Sequence, residues 1–134
     1  MILESNNSSV FSLRYHLILV TKFRRKVITE NISKRLREIF ENIAPNYNIM
    51  IETWNYVEDY VHIIMKGHPN TEMTKFINAY KSASSRLIKK EFPEIKEKLF
   101  QDIFWSKTFC LVSVGDLDKD EINNYIEKQN EKNK

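Results

Sequence analysis

Residues 48 to 66 read NIMIETWNYVEDYVHIIMK, and this stretch decides the fold. Its two halves, 48–57 and 60–66, are rich in β-branched and aromatic side chains, which are typical of strands. The polar pair Glu58-Asp59 between them predicts a tight turn. The stretch therefore predicts a β-hairpin.

One face of the second strand raises a question of function. Side chains alternate along a strand, so Tyr60 and His62 lie on the same face. His62 is either part of a metal site or an ordinary histidine of a sheet, and the strand alone does not decide between them.

The chain before the hairpin predicts a strand and a helix. Residues 11–20, FSLRYHLILV, are rich in β-formers and predict the strand. Thr29 is suited to cap a helix whose apolar residues recur with a period of 3.6, and Pro45 ends it. Those apolar residues are Ile32, Leu36, Ile39, Phe40 and Ile43.

The chain after the hairpin predicts a second helix. It is predicted to begin at Asn70 or Thr71 and to end before Pro93, because the residue before a proline disfavours helix. Its predicted buried side consists of Met73, Phe76, Ile77, Tyr80, Leu87 and Ile88.

The C-terminal part is predicted to hold one or two strands within 103–114 and a last helix over about 119–130. A capping-box spacing and a hydrophobic-staple spacing mark the start of this helix. The residues are Asp118 with Glu121, and Leu117 with Ile122.

The resulting order is strand, helix, strand, strand, helix, strand, helix. This order predicts an α+β fold of the ferredoxin-like type, a split βαββαβ with an antiparallel sheet, helices on one face and an extra C-terminal helix. The fold serves many functions, so function must be argued from the site.

The length of 134 residues predicts a single domain, 1–134. We expect its core to cover 10–130, with flexible termini at 1–9 and 131–134. A hydrophobic content of 42% with 29% charged residues is ordinary for a soluble globular protein.

Composition also indicates the compartment. The longest apolar run, Leu17 to Val20, is far shorter than a membrane span, and the start MILESNNSSV lacks the features of a secretory signal. The lone Cys110 excludes an intramolecular disulfide and a thiolate metal cage. We therefore expect a cytoplasmic protein with no membrane partner.

Basic residues fall in two clusters, although the net charge is only +3. Two such clusters on a small domain suit a polyanion such as nucleic acid, and a solvated charged face is the alternative. The first cluster is Lys22, Arg24, Arg25 and Lys26, and the second is Lys81, Arg86, Lys89 and Lys90.

The last helix carries Tyr125 and Gln129 four residues apart, which places them on one helix face. A helical tyrosine is most often structural, as is a single strand histidine. Neither residue indicates a function by itself.

Four stretches in order carry a family resemblance: YHLILVTKFRRKV, YKSASSRLIKKEFPE, FWSKTFCLVSVGD and INNYIEKQ. Together they resemble the small insertion-sequence transposases of the HUH superfamily, which are single-tyrosine enzymes that move DNA as single strands. The resemblance covers roughly residues 11–130 and agrees with the predicted fold. It implies a DNA transposase that binds hairpin ends, then cuts and rejoins single-stranded DNA.

The resemblance implies a site. Tyr125 corresponds to the nucleophile, and His62 and Gln129 correspond to ligands of a divalent ion, magnesium or manganese. The family's strand motif is histidine, hydrophobe, histidine, and Tyr60 stands where the first histidine is expected. We therefore expect weakened metal binding and impaired activity. A covalent 5′-phosphotyrosine conserves the phosphodiester energy, so no nucleotide cofactor is expected, and no P-loop pattern is present. His16 is predicted to be a structural or DNA-contacting residue that does not repair the site.

The resemblance and the charge pattern together predict DNA contacts. Charged and small hydroxyl side chains suit a phosphate backbone, and Trp105 is a candidate for stacking on an unpaired base. For Phe104 and Phe109 a core position is favoured. The predicted backbone contacts are Lys22, Arg24, Arg25, Lys81, Ser82, Ser85 and Arg86.

The resemblance further implies a homodimer with shared active sites, in which Gly115 is a candidate hinge before the last helix or a simple turn glycine. Two alternatives remain open at this point. One is a catalytically dead, domesticated or decaying nucleic-acid-binding dimer of the same fold. The other is an RNA-binding module of the RRM type, whose glycine-and-aromatic strand signature is absent from the chain.

Overall fold

The computed structural model describes residues 4–5, 10–11, 13–113 and 119–131, with the side chains of 13–113 and 123–129. Short 3-10 turns cover Lys22–Arg24, Ala44–Tyr47 and Pro93–Lys98. The strands and helices, in chain order, are β1 (Glu4–Ser5), β2 (Val10–Phe11), β3 (Arg14–Val20), α1 (Glu30–Ile43), β4 (Met50–Val57), β5 (Tyr60–Lys66), α2 (Met73–Glu91), β6 (Cys110–Ser113) and α3 (Lys119–Glu131).

A four-stranded antiparallel sheet in the order β4-β5-β3-β6 forms the centre of the domain. β5 pairs with β4 across the predicted turn at Glu58-Asp59, and β3 lies between β5 and β6. This is the ferredoxin-like arrangement, so the predicted fold class is confirmed. The short β1 and β2 pair with each other outside this sheet.

The two faces of the sheet carry different helices. Leu17 and Leu19 of β3 and Ile63 of β5 belong to the main core, which also contains the buried residues of α1 and α2. Ile18 and Val20 point to the opposite face and pack against Ile126 of α3. α1 and α2 therefore share one face as predicted, and α3 covers part of the other. We call the face that carries Ile18 and Val20 the outer face.

Helix α1 forms as its sequence predicts. The Thr29 side chain accepts a hydrogen bond from the backbone N–H of Ile32 at 3.3 Å, which satisfies one of the free donors at the helix start. The stripe of Ile32, Leu36, Ile39 and Phe40 is buried. After Ile43 the chain turns through the 3-10 segment that contains Pro45.

Helix α2 starts later than predicted, at Met73. Thr71 Oγ1 donates to the carbonyl of Tyr47 at 2.8 Å and accepts from the backbone N–H of His68 at 3.2 Å. This hydroxyl therefore holds the loop instead of capping a helix. The helix ends at Glu91, before Pro93 as predicted.

One predicted strand limit is wrong. The strand predicted over 11–20 begins only at Arg14, because Phe11 pairs with Glu4 in the separate hairpin. The prediction of one or two strands within 103–114 agrees with β6 among the described residues, and Trp105 adds an isolated bridge to Thr21. The chain before it turns sharply, with positive φ at Gln101 and Asp102, a region in which residues other than glycine are uncommon.

The predicted features of the 114–118 connection lie outside the described residues. These features are Gly115, Leu117 and Asp118. The side chains of Glu121 and Ile122, the predicted partners of Asp118 and Leu117, also lie outside the described part of the chain. No helix within the described part of the chain is long and apolar enough to cross a membrane.

Candidate active site and DNA-binding surface

The outer face of the sheet brings the predicted strand residues beside the last helix. Tyr60 lies opposite Val20 in the register of β5 and β3, and His62 lies opposite Ile18. Ile18 in turn lies opposite Cys110 of β6. Because the pleat alternates, all five side chains share this face.

Helix α3 attaches to this face through an apolar contact. Ile126 is buried against Ile18 and Val20, and Tyr60 and Tyr125 pack around the same cluster. Tyr60 and Tyr125 therefore lie close to one small apolar patch. In this structure both residues come from one chain.

Tyr125 is half-buried beside the start of β6. Its phenol oxygen lies 3.1 Å from Thr108 Oγ1, and either group is able to donate this hydrogen bond. Burial raises the pKa of the Tyr125 phenol, while the hydrogen bond to Thr108 opposes the shift. The phenol is thus protonated at neutral pH, and a nucleophilic role requires removal of its proton.

Gln129 lies one helical turn beyond Tyr125 and is only 4% exposed. Its Oε1 accepts a hydrogen bond of 2.6 Å from the Ser106 hydroxyl. The backbone N–H of Ser106 donates to the carbonyl of Val20 at 2.7 Å. Since Val20 lies opposite Tyr60, Gln129 is held near the Tyr60 end of the outer face.

His62 has a partner that the sequence analysis missed. Its Nε2 lies 2.7 Å from Nδ1 of His16, which belongs to the neighbouring strand β3. Burial lowers the pKa of both imidazoles. The charge of Arg14 lowers the pKa of His16 further, and the neighbouring His16 lowers the pKa of His62 further. Both rings are therefore neutral at pH 7. No local sequence pattern indicates this pair, because it depends on the strand register, in which Ile64, two residues from His62, lies opposite His16.

The ligand set implied by the resemblance does not fit a metal ion in this arrangement. His62 Nε2 is directed at His16, Gln129 Oε1 is directed at Ser106, and Tyr60 offers a phenol in place of an imidazole. Among the described side chains, no three histidines, cysteines or acids gather as a metal site. The donors are present on one face of the sheet but are engaged elsewhere.

Arg24, predicted to contact DNA, is part of an ion pair inside the protein. Its Nε lies 2.8 Å from Oδ2 of Asp59, whose side chain is only 7% exposed. Its Nη1 lies 3.8 Å from the exposed carboxylate of Glu127 on α3. Arg24 and the preceding Phe23 both have positive φ, and the guanidinium meets the hairpin turn at Asp59. The other predicted contacts of this cluster differ, because Arg25 is exposed and the Lys22 ammonium lies 4.9 Å from the Phe23 ring centre.

The predicted contacts on α2 line two adjoining grooves. Ser82 and Ser85 line both grooves, and Arg86 lines the more basic one. The other cations of that groove are Lys89, Lys90 and Lys96, opposed by Asp102.

The second groove leads towards α3. It is lined by Lys81 and by Ser106, the residue that holds Gln129. The Lys81 ammonium donates to the carbonyl of Lys107 at 3.1 Å, and burial lowers its pKa.

Trp105 is not available for stacking on a base. The residue is 5% exposed and its Nε1 donates to Ser84 Oγ at 2.9 Å. Its ring packs edge-on against Phe104, which is fully buried as expected, whereas Phe109 is partly buried. The predicted DNA contact of Trp105 is corrected to a core position.

Comparison with known proteins identifies the class to which this fold and site belong. The family described as IS200-like transposases matches residues 9–129. The chain belongs to this family. Membership implies activity on DNA, namely cleavage and strand transfer, and excludes the alternative of an RRM-type module.

Particular relatives span nearly the whole chain. The ISDra2 transposase TnpA of Deinococcus radiodurans is 29% identical over 130 residues, covering 97% of this chain and 93% of the relative. The transposase of insertion element IS200 of Salmonella typhimurium is 23% identical over 124 residues, covering 92% of this chain and 81% of the relative.

Solved structures support the same fold. A crystal structure described as a transposase from Deinococcus radiodurans R1 aligns with a TM-score of 0.85 and 28% identity, covering 94% of this chain and 97% of that one. The REP-associated tyrosine transposase bound to a REP hairpin aligns with a TM-score of 0.59 and 10% identity, covering 92% and 67%. The latter likeness concerns the fold alone.

Proposed function

We propose that the protein is a single-tyrosine transposase of the HUH type that cuts and rejoins single-stranded DNA at the ends of an insertion element. The observation that carries this proposal is the docking of α3, which brings Tyr125 and Gln129 to the sheet face of Tyr60 and His62. Family membership over residues 9–129 supports the class of reaction.

In the proposed reaction, the Tyr125 oxygen attacks the scissile phosphorus. An O–P bond to tyrosine forms as the phenol gives up its proton to solvent, the bond from phosphorus to the 3′ oxygen breaks, and the leaving 3′ oxygen takes up a proton from solvent. The product is a 5′-phosphotyrosine and a free 3′-hydroxyl. Attack of a 3′-hydroxyl on that phosphotyrosine reverses the bond changes and rejoins DNA. No nucleotide cofactor is required, because the phosphotyrosine retains the bond energy.

Members of this family generally use a divalent metal, and we assign its site by resemblance to His62, Gln129 and the position of Tyr60, with magnesium or manganese as the ion. Since these donors are engaged with His16 and Ser106, we derive no step through the ion. We expect the protein as written to cut poorly or not at all. Tyr60→His should raise metal affinity and cleavage together.

The proposed DNA partner is the single-stranded hairpin at a transposon end. The basic groove beside α2 suits the phosphate backbone, since Arg86 and three lysines outnumber its single acid. The adjoining groove reaches Ser106 and thereby α3, so a strand in it would run towards Tyr125. A protein of this fold, the REP-associated transposase, is bound to a hairpin.

The proposed assembly is a two-fold homodimer with shared active sites, in which α3 of one chain completes the site of the other. The contact that would be exchanged is small, since Ile126 and Gln129 provide the buried residues of α3 among those described. Light scattering at tens of micromolar should give the mass of a dimer. A monomer at that concentration would refute the shared site.

A second candidate function is a catalytically dead DNA-binding dimer of the same fold. The hydrogen-bonded state of Gln129 and the phenol at position 60 favour it. It differs from the enzyme in a single respect, because it should retain hairpin binding while no covalent adduct with DNA forms.

The experiment that tests the proposed function is cleavage of a labelled end-hairpin oligonucleotide with magnesium or manganese. The native protein is compared with Tyr60→His and with the double variant Tyr60→His, Tyr125→Phe. We expect an adduct on a denaturing gel for Tyr60→His and none for the double variant. Tyr56→Phe, which changes an exposed tyrosine of β4, is the matched control and should keep the adduct.

The outcomes separate the two candidates. Hairpin binding without an adduct in any variant supports the binding protein. An adduct that survives Tyr125→Phe rules out Tyr125 as the nucleophile. Efficient cleavage by the native protein, unchanged by Tyr60→His, would show that the phenol is no impairment.

DNA contacts are tested by anisotropy with the same oligonucleotide. Arg25→Ala and Arg86→Ala should each weaken binding to several sequences alike and lower the salt slope by about 1, because phosphate contacts carry no sequence information. Lys34→Ala, an exposed cation of α1 outside both clusters, is the control. If all three variants bound the oligonucleotide with equal affinity, Arg25 and Arg86 would be solvated surface residues that do not contact DNA.

A further inference from the structure

The outer face holds a pair of imidazoles whose nitrogens point at each other. The 2.7 Å between His16 Nδ1 and His62 Nε2 and the 5.0 Å between the ring centres place both nitrogens near the line that joins the two rings. The ring planes differ by 29°. Two imidazole nitrogens from neighbouring strands thus face each other.

We propose that His16 Nδ1 and His62 Nε2 bind one divalent transition-metal ion, with His16 supplying the second imidazole that position 60 lacks. This inference rests on the proposed function for its role in catalysis, although the binding itself does not. It assigns a different ligand set from the one implied by the resemblance, because the donors come from β3 and β5 instead of from β5 alone.

Binding requires a movement of less than about 1 Å between the two nitrogens. Two nitrogens that bind one ion at about 2.1 Å in a tetrahedral site lie roughly 3.4 Å apart. The present separation of 2.7 Å therefore has to widen by about 0.7 Å, and each ring has to turn so that its nitrogen faces the ion. The neutral pair shares one proton between its facing nitrogens, and this proton moves to the far nitrogen of the same ring. No net proton is lost.

The nature of the donors selects the ion. Imidazole nitrogen favours the later transition-metal ions such as cobalt, nickel, copper and zinc, whereas magnesium prefers oxygen ligands and keeps its water. Among the described side chains no acid, cysteine or further histidine joins the pair as a third ligand. The remaining positions are left to water, to the amide of Asn55, which lies opposite His62 on β4, or to a DNA phosphate. An open position is what a catalytic metal needs.

The surroundings oppose a cation only weakly. Arg14 lies near enough to lower the pKa of His16, but its guanidinium is paired with Glu52 at 2.5 Å. Ile18 and Ile64, which lie across the strand pair from His62 and His16, add no charge. The pair is half-exposed, so an ion reaches it from solvent.

The test is metal binding by the full chain after chelator treatment and without DNA, measured by calorimetry with zinc and with cobalt. We expect one ion per chain and no displacement by a tenfold excess of magnesium. His16→Ala and His62→Ala should each lower the affinity by about tenfold or more, since loss of even an outer-shell partner has that effect. His68→Ala, the change of the third histidine, should leave the affinity unchanged.

Nitrogen-detected imidazole spectra of the native protein provide a second measurement that needs no substitution. Zinc should shift the resonances of His16 Nδ1 and His62 Nε2 and leave those of His68 in place. Zinc affinity that is unchanged or higher in His16→Ala would overturn the inference, because His16 would then compete with the ion. Failure of the native protein to bind zinc or cobalt would overturn it as well. Zinc binding by the native protein together with no DNA cleavage by the Tyr60→His variant would instead count against the proposed function alone.

Discussion

Replacement of Arg24 tests whether the 22–26 cluster serves DNA or the fold. In Arg24→Ala the Asp59 carboxylate loses its guanidinium partner while it stays buried. The backbone strain at this position should change little, because alanine and arginine pay a similar cost for positive φ. The ion pair is therefore the main interaction removed.

The magnitude follows from burial. Removing one partner of a buried ion pair costs about 3–5 kcal/mol of unfolding free energy. The Arg24 side chain is 24% exposed and that of Asp59 is 7% exposed, so part of the attraction is screened and we expect about 2–3 kcal/mol. Arg25→Ala, at the exposed neighbouring position, should stay within about 0.5 kcal/mol.

The assay is urea unfolding of the two single variants, of Asp59→Asn and of the double variant Arg24→Ala, Asp59→Asn. Because the double variant leaves no unpaired charge, it should be more stable than the sum of the two single effects predicts, by about 1–2 kcal/mol. Hairpin affinity of each variant is measured under native conditions.

Equal urea midpoints for Arg24→Ala and Arg25→Ala, with no coupling to Asp59, would refute this reasoning. If in addition Arg24→Ala weakened hairpin binding and lowered the salt slope by about 1, the guanidinium would be a phosphate contact after all.

Three further predictions concern the core, the nucleophile and the histidine pair. Trp105→Phe should lower the unfolding free energy by about 2 kcal/mol in urea titrations, because it opens a cavity and removes the donor to Ser84, while hairpin affinity of the folded variant should not change. In the Tyr60→His background, the rate at which Tyr125 forms the DNA adduct should rise steadily from pH 7 to pH 9, because burial raises the pKa of this phenol. A plateau of this rate near neutral pH in rapid-quench assays would contradict the prediction. Burial lowers the pKa of His16 and His62 in the folded state, so the unfolded chain binds more protons than the folded protein below about pH 6.5. The free energy of unfolding should therefore fall on acidification from pH 7 to pH 5. The double variant His16→Asn, His62→Asn should lose this part of the pH dependence in urea titrations.

The order of elements could be predicted from the sequence because the interactions that define each element are local. Thr29 caps the helix that starts one residue later, and the buried stripe of α1 follows from a 3.6-residue period. The turn at Glu58-Asp59 separates two runs of β-formers that pair with each other. The order in turn allowed the sheet topology to be predicted, since few connections are compatible with two adjacent hairpin strands and two helices on one face.

The candidate site could be predicted only as a set of residues that share faces. Strand alternation placed Tyr60 beside His62, and the helical period placed Gln129 beside Tyr125. The partners of these residues come from distant parts of the chain: His16 is 46 residues from His62, and Ser106 is 23 residues from Gln129. Such contacts depend on strand register and on how a helix docks, and neither is encoded in a local pattern.

Burial likewise changed the interpretation of two predicted DNA contacts. Arg24 and Trp105 stand in basic or aromatic stretches that suit nucleic acid, and local sequence treats them like their neighbours. The tertiary structure separates them from those neighbours, because the guanidinium of Arg24 meets the buried carboxylate of Asp59 and the indole of Trp105 meets Ser84. The sequence by itself determined which elements form and which side chains share a face. Only the packing of those elements decided which polar groups satisfy one another, since a buried polar group must find its partner wherever the fold brings one.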